Sequence, residues 1–206
     1  VFLQGYKLGD FNIHGRLRGN IPAGKNHLHL TAKAYVRNEE PSYFLQNYTS
    51  NHFRWSNKFK KTYHSYIGGD ISFPTKYVTL GLNVGFENLT NYIYFANDGM
   101  PNQHEGNIQV IAGNLNLDIH TKHFALENNA IYQYTSSNVL PLPMLTLYHN
   151  IYYKDLYFKV LSVQFGIDLR YHSAYYAPLY MPATGQFCIQ DKLKVAVFVL
   201  QAVIND

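Results

Sequence analysis

The side chains in this sequence that could do chemistry recur at every second position. His14, Arg16 and Arg18 follow that spacing, as do His27, His29, Lys33 and Arg37. Asp70, Glu87, Asp118, Glu127, Asp168 and Arg170 stand in similarly alternating stretches further along. A two-residue period places side chains on one face of a β-strand. Arg16, Arg18, Lys33 and Arg37 would then form a basic stripe, with Glu87, Asp118, Glu127 and Asp168 as acidic points on later strands. Charged walls of opposite sign set up a transverse field across a water-filled channel and tune its ion selectivity. The plainer alternative is that these charges pair with each other and fill the interior.

Other chemistries have less support. His14, His27 and His29 lie on neighbouring polar faces, where a metal site is conceivable. No carboxylate or cysteine stands near them in sequence, so solvated histidines and no metal are expected. GxSxG, HExxH and phosphate-loop patterns are absent. Nothing in the spacing sets a nucleophile beside a base, so neither an enzyme nor a cofactor is expected. The single Cys188 excludes an intrachain disulfide and a CxxC metal site. Lys58, Lys60 and Lys61 are the only dense basic run. It reads as a solvated loop, and nucleic acid is not an expected partner.

The elements that must carry these residues are strands. Period-2 alternation fills residues 10–20, 27–38, 62–73, 77–87, 109–119, 123–135, 144–153 and 160–172. One face of each is apolar: Leu28 and Leu30 in the second stretch, Leu80, Leu82 and Val84 in the fourth, Val163, Phe165 and Ile167 in the last. The opposite faces carry the charges, glycines and amides. A tilted membrane-spanning strand needs about 9–11 residues, against about 5–6 for an average soluble strand. Lipid-facing apolar rows and a polar lumen are the pattern of a transmembrane barrel.

Composition agrees. Charged residues make up 15% of the chain and aromatics 16%, with 19 tyrosines. A water-facing surface is usually about 25–35% charged, whereas tyrosine rings suit the headgroup level of a bilayer. The formal charge of +4 would favour anionic solutes. No apolar run approaches the ~18 residues of a spanning helix.

The connections alternate as well. Residues 21–25, 74–76, 120–122 and 154–156 are tight; 39–59, 88–107 and 173–186 are long, and 136–143 is intermediate. In an up-and-down barrel every second connection lies at the same end, with short periplasmic turns and longer external loops. The expected fold is all-β: an antiparallel up-and-down transmembrane β-barrel, partial, with about 8–10 strands visible, as a single domain over residues 1–206. Residues 1–8 read like the end of a strand, and the chain lacks an initial Met, so an internal fragment or trimmed chain is expected. Beyond Val195 the run Ala196-Val197-Phe198-Val199-Leu200 is apolar without alternation. A buried strand, a slipped frame or a truncated end would each account for it.

Several strings carry a family resemblance. Pro41-Ser42-Tyr43-Phe44-Leu45 leads into Tyr48-Thr49-Ser50-Asn51-His52-Phe53-Arg54-Trp55, and Glu87-Asn88-Leu89-Thr90-Asn91-Tyr92-Ile93-Tyr94-Phe95 follows a strand. Then come Leu140-Pro141-Leu142-Pro143, Arg170-Tyr171-His172, and Tyr175-Tyr176-Ala177-Pro178-Leu179-Tyr180-Met181-Pro182-Ala183-Thr184-Gly185-Gln186-Phe187. Together they resemble the putative porin family of Bacteroidota outer membranes, up to about Lys194. The resemblance implies an outer-membrane barrel of porin type in a protein longer than this chain. Its expected partners are outer-membrane lipid and small polar solutes, with a homo-oligomer or membrane complex possible. Two rival readings stand beside the channel: a plugged barrel acting as an anchor or partner-binding unit, and a soluble lipid-binding barrel with its apolar faces inside. Trp55, Tyr175, Tyr176 and Tyr180 fall in or beside long loops, where sugar stacking competes with loop packing or an aromatic girdle.

Overall fold

The computed structural model describes residues 5–158 and 160–205. Nine long strands carry the fold: β1 (Phe11–Ala23), β2 (Asn26–Glu39), β5 (Thr62–Pro74), β6 (Val78–Thr90), β9 (Asn107–His120), β10 (Phe124–Thr135), β11 (Leu145–Tyr157), β12 (Leu161–Tyr176) and β15 (Lys194–Asn205). Between them lie one helical turn, α1 (Tyr43–Gln46), and six three-residue strands: β3 (Asn47–Thr49), β4 (Arg54–Ser56), β7 (Ile93–Phe95), β8 (Pro101–Gln103), β13 (Leu179–Met181) and β14 (Gln186–Cys188). No helix among the described residues is long and apolar enough to cross a membrane.

The long strands form one sheet in the order β1-β2-β5-β6-β9-β10-β11-β12-β15. Each pairs antiparallel with the next long strand in the chain. This is the up-and-down order that the alternating connections predict. Among the described residues β1 and β15 end the sheet and do not pair with one another.

Register keeps the two-residue period in phase from strand to strand. One row runs Gly19, Leu30, Ile71, Leu82, Leu115, Ala130, Leu147, Tyr171, Phe198. The neighbouring row on the other face runs Arg18, Thr31, Asp70, Asn83, Asn114. A slip of one residue anywhere would mix the two faces. The apolar face is largely exposed: Ile67 is 63% exposed, Val84 48% and Ile167 53%. Of the apolar residues singled out from the sequence, Leu80, Leu82, Val84, Phe165 and Ile167 are exposed there, while Leu28, Leu30 and Val163 are half-buried.

The ends of the sheet differ. At one end the turns are tight. Ala23 pairs with Asn26, leaving residues 24 and 25 as a two-residue turn, with Gly24 at φ +66°. Two further turns share a pattern, Thr75-Lys76-Tyr77-Val78 and Thr121-Lys122-His123-Phe124. In each the threonine hydroxyl accepts the N–H three residues on, at 3.0 Å. At the other end stand the long connections, residues 40–61, 91–106, 136–144 and 177–193.

Three sequence expectations need correction. Residues 154–156 are not a turn: Lys154, Asp155 and Leu156 pair with Gln164, Val163 and Ser162, and the chain reverses beyond Tyr157. Charged residues drew the expected turn too early; Lys154 and Asp155 lie beyond the ladder with β10, which ends at Phe124 and Tyr153. Residues 5–9 form turns, not the end of a strand, and residues 1–4 lie outside the described residues. The apolar tail is not buried. It belongs to the edge strand β15, where residues 195–200 are apolar on both faces, with Val197 and Val199 paired to His172 and Arg170.

Candidate functional site

The polar face is the candidate site. The register places all twelve residues expected to line a pore on it: His14, Arg16, Arg18, His29, Lys33, Arg37, Asp70, Glu87, Asp118, Glu127, Asp168 and Arg170. They occupy successive levels. Arg37 and His64 lie nearest the long connections. Next come His14, Tyr35, Tyr66 and Glu87, then Arg16 and Lys33 opposite Gly68 and Gly85. Asn116, Asn129, Tyr148 and Arg170 follow. Asp118, Glu127, Asn150 and Asp168 lie toward the tight turns.

These charges do not stand as two opposed walls. Lys33 Nζ lies 2.6 Å from Asp70 on the adjacent strand, and Asn83 donates to the same carboxylate. Glu87 accepts the Tyr35 hydroxyl at 3.0 Å and engages His64 Nε2. Arg170 donates Nε–H and Nη2–H to the two oxygens of Asp168, each at 3.2 Å. Glu127 accepts the Tyr152 hydroxyl at 3.0 Å. Local pairing thus wins over a long-range field for most of the set, because neighbouring strands bring opposite charges within reach and screening removes the rest. Arg16 and Arg18 on β1 make no ion pair among the described residues. Asp118 faces Glu127 directly across the strand pair.

The three histidines do not converge. His29 Nδ1 is 2.7 Å from Asn20 Oδ1. His14 lies six residues along β1 from Asn20, or roughly 20 Å at strand rise. His27 is paired with Pro22. Among the described residues no group of three potential metal ligands forms.

Alternation alone missed the neutral residues that organise this face. Tyr35 and Tyr66 stack with centroids 5.2 Å apart. The Tyr66 ring lies across Gly68 and Gly85, so a Cβ at Gly85 would meet it at 2.8 Å. Such a glycine pair leaves room for an aromatic ring to lie flat on the sheet. Asn129 donates to Asn114 at 2.9 Å and also bonds Asn116, making an amide cluster at mid-height. The visible signal was that tyrosine and asparagine share the parity of the charges.

The long connections are not free loops. β14 pairs parallel with β7 through Cys188 and Phe95, joining β13-β14-β7-β8 into a small sheet. Trp55, Phe95 and Cys188 are buried together, with Phe44, Leu45, Tyr48, Phe53, Met100 and Met181 packed around them. Trp55 stacks on Tyr48 at 4.6 Å and donates Nε1–H to the Phe44 carbonyl at 2.8 Å. Trp55 is therefore a packing residue. Gln103 clasps Lys60, donating to its carbonyl and accepting its N–H. Three connections far apart in sequence thus form one cap with its own apolar core.

This cap leans over the polar face. A cavity of about 490 Å³ is lined by Arg37, His64, Glu87 and Leu89 of the sheet and by Leu45, Tyr92, Ile93 and Leu140 of the connections. Ile108 and Val110, which share the polar parity on β9, are 0% and 7% exposed. Apolar side chains interrupt the polar face at the level where the cap covers it. Burial pushes the Tyr92 phenol above its ordinary range. It does the same to the Cys188 thiol, with the nearby Asp98 charge adding to the effect.

A family model described as Putative porin matches residues 1–205. No curated protein matches the chain.

Proposed function

The chain belongs to the Putative porin family, and from that premise we propose that it forms part of a transmembrane β-barrel in the outer membrane of a Gram-negative bacterium, as in Bacteroidota, passing small polar solutes by passive diffusion. The observation that carries this reading is the two-faced sheet. Nine long strands keep apolar side chains on one exposed face and paired charges, amides and tyrosines on the other. In lipid every backbone N–H and C=O must be paired, so such a sheet spans a bilayer only as part of a closed barrel. β1 and β15 would each meet another strand. The barrel has no catalytic role, and its partners are outer-membrane lipid and the solutes in its lumen.

The test is conductance. Purified intact protein in planar bilayers should give discrete current steps. If it extracts only in detergent and shifts on heating in SDS gels but conducts nothing, the open channel fails while the barrel stands. The cap then favours a second reading, a plugged barrel serving as an anchor or partner-binding unit. It lies over the polar face with a core of its own. A protein that stays monomeric without detergent would instead reverse the two faces and revive the soluble lipid-binding barrel.

A further inference from the structure

Among the described residues the apolar face has one interruption far from either rim. Across the strands, Phe73, Leu80, Leu117, Asn128, His149, Leu169 and Leu200 share a row. Asn128 and His149 stand side by side in it, flanked by apolar neighbours. On β10, Asn128 lies midway between Phe124 and Tyr132, two exposed rings on the same face. Phe124 packs edge-on against Tyr153 toward the tight turns. In a membrane-spanning barrel such rings mark the headgroup levels. The pair therefore sits near the middle of the apolar band, where a polar group is most costly to expose to lipid.

Hydrogen bonding fixes what the pair presents. Asn128 Nδ2 donates to the Leu117 carbonyl at 2.9 Å. Its Oδ1 therefore faces His149 Nδ1 at 2.5 Å, and that nitrogen must carry the proton. In the neutral ring Nε2 is then a bare acceptor. One N–H of the Asn128 amide is left as a donor beside it. Donor and acceptor thus lie next to each other on adjacent strands. A two-fold axis along the barrel would set Asn128 of one copy against His149 of another, so the patch complements itself as an isologous interface requires. Ala130, next along β10 on this face, leaves room for close approach.

We infer that the Asn128–His149 patch is a contact between two copies of this chain within the membrane. The inference rests on the barrel reading above. A lipid tail offers no donor or acceptor, whereas a second copy supplies both.

The test uses the intact protein extracted in mild detergent. Native mass spectrometry should find two copies of one polypeptide. The N128L/H149L variant should raise the dimer dissociation constant at least tenfold while keeping its heat-shifted band, which shows that the barrel still forms. Independently, p-benzoylphenylalanine in place of Leu126 should give a covalent dimer when illuminated in intact membranes. A heat-shifted barrel that is a single copy, that stays dimeric after the double substitution, or that binds a different polypeptide through this face overturns the inference alone. A soluble protein without a heat-shifted band overturns the barrel reading beneath it.

Discussion

Lys33 faces Arg16 across one strand boundary and reaches Asp70 across the other. Its charge is neutralised, so Arg16 and Arg18 carry the positive excess of this region. Two unit charges about 4 Å apart in water interact by ~1 kcal/mol, or roughly fivefold in local ion concentration. Asp70→Asn should therefore move the reversal potential in a KCl gradient toward chloride, and Arg16→Gln toward potassium. If neither substitution moves it, ions do not pass along this face. Cys188 supports a different prediction. Its thiol is pushed up by burial, so alkylation near pH 8 should be slow in the folded protein and fast after denaturation. A group whose folded pKa is raised contributes stability fully present below its unfolded value, about 8.5 for a thiol, and lost as pH rises through the folded value. The cap should therefore become more protease-sensitive between neutral and strongly alkaline pH. Cys188→Ala should remove part of that slope and Tyr92→Phe another part, since the phenol is raised in the same direction.

At the level of strands, adjacent residues on β5 separate the two faces. Ile71 lies in the exposed apolar row and Ser72 on the polar face. Ile71→Arg should cost about 2–4 kcal/mol in a bilayer, the range for a cation near the midplane, while Ser72→Arg should be nearly neutral. Urea unfolding in lipid vesicles measures both, and equal tolerance would mean that the faces are misassigned. Most of this level was legible from alternation. The period-2 pattern located eight strands because one residue in two must satisfy a different environment, and the ninth, β15, lost that signal by being apolar on both faces. The reversal after Tyr157 was misplaced because Lys154 and Asp155 mimic turn residues. The cap was not legible at all. Its contacts join Trp55, Phe95 and Cys188 from separate connections, and no local periodicity records pairings that distant. The Asn128–His149 pair could be found only once register showed which residues stand opposite each other.

Taken whole, the molecule has, among the described residues, a buried apolar cluster of Trp55, Phe95 and Cys188 within the cap. In the barrel proposed above, a sheet with lipid on one side and water on the other would need no second layer, while connections standing in water must build a core of their own. Trp55→Ala removes the ring contacts with Tyr48, Phe44 and Phe95 and should cost about 3–5 kcal/mol of local stability. Limited proteolysis should then cut within residues 40–61 and 177–193 while the heat-shifted barrel band survives. Loss of that band would show that cap and sheet fold as one unit. In the same proposed barrel, the asymmetry between tight turns and cap would also give insertion a direction. Segments 40–61, 91–106 and 177–193 would then meet only after each had been threaded through the bilayer to the same side, whereas the two- and three-residue turns would never need to cross. Once β7 and β14 had paired, no hairpin of that barrel could slide back without undoing the others, and the cap would act as a latch on the inserted sheet.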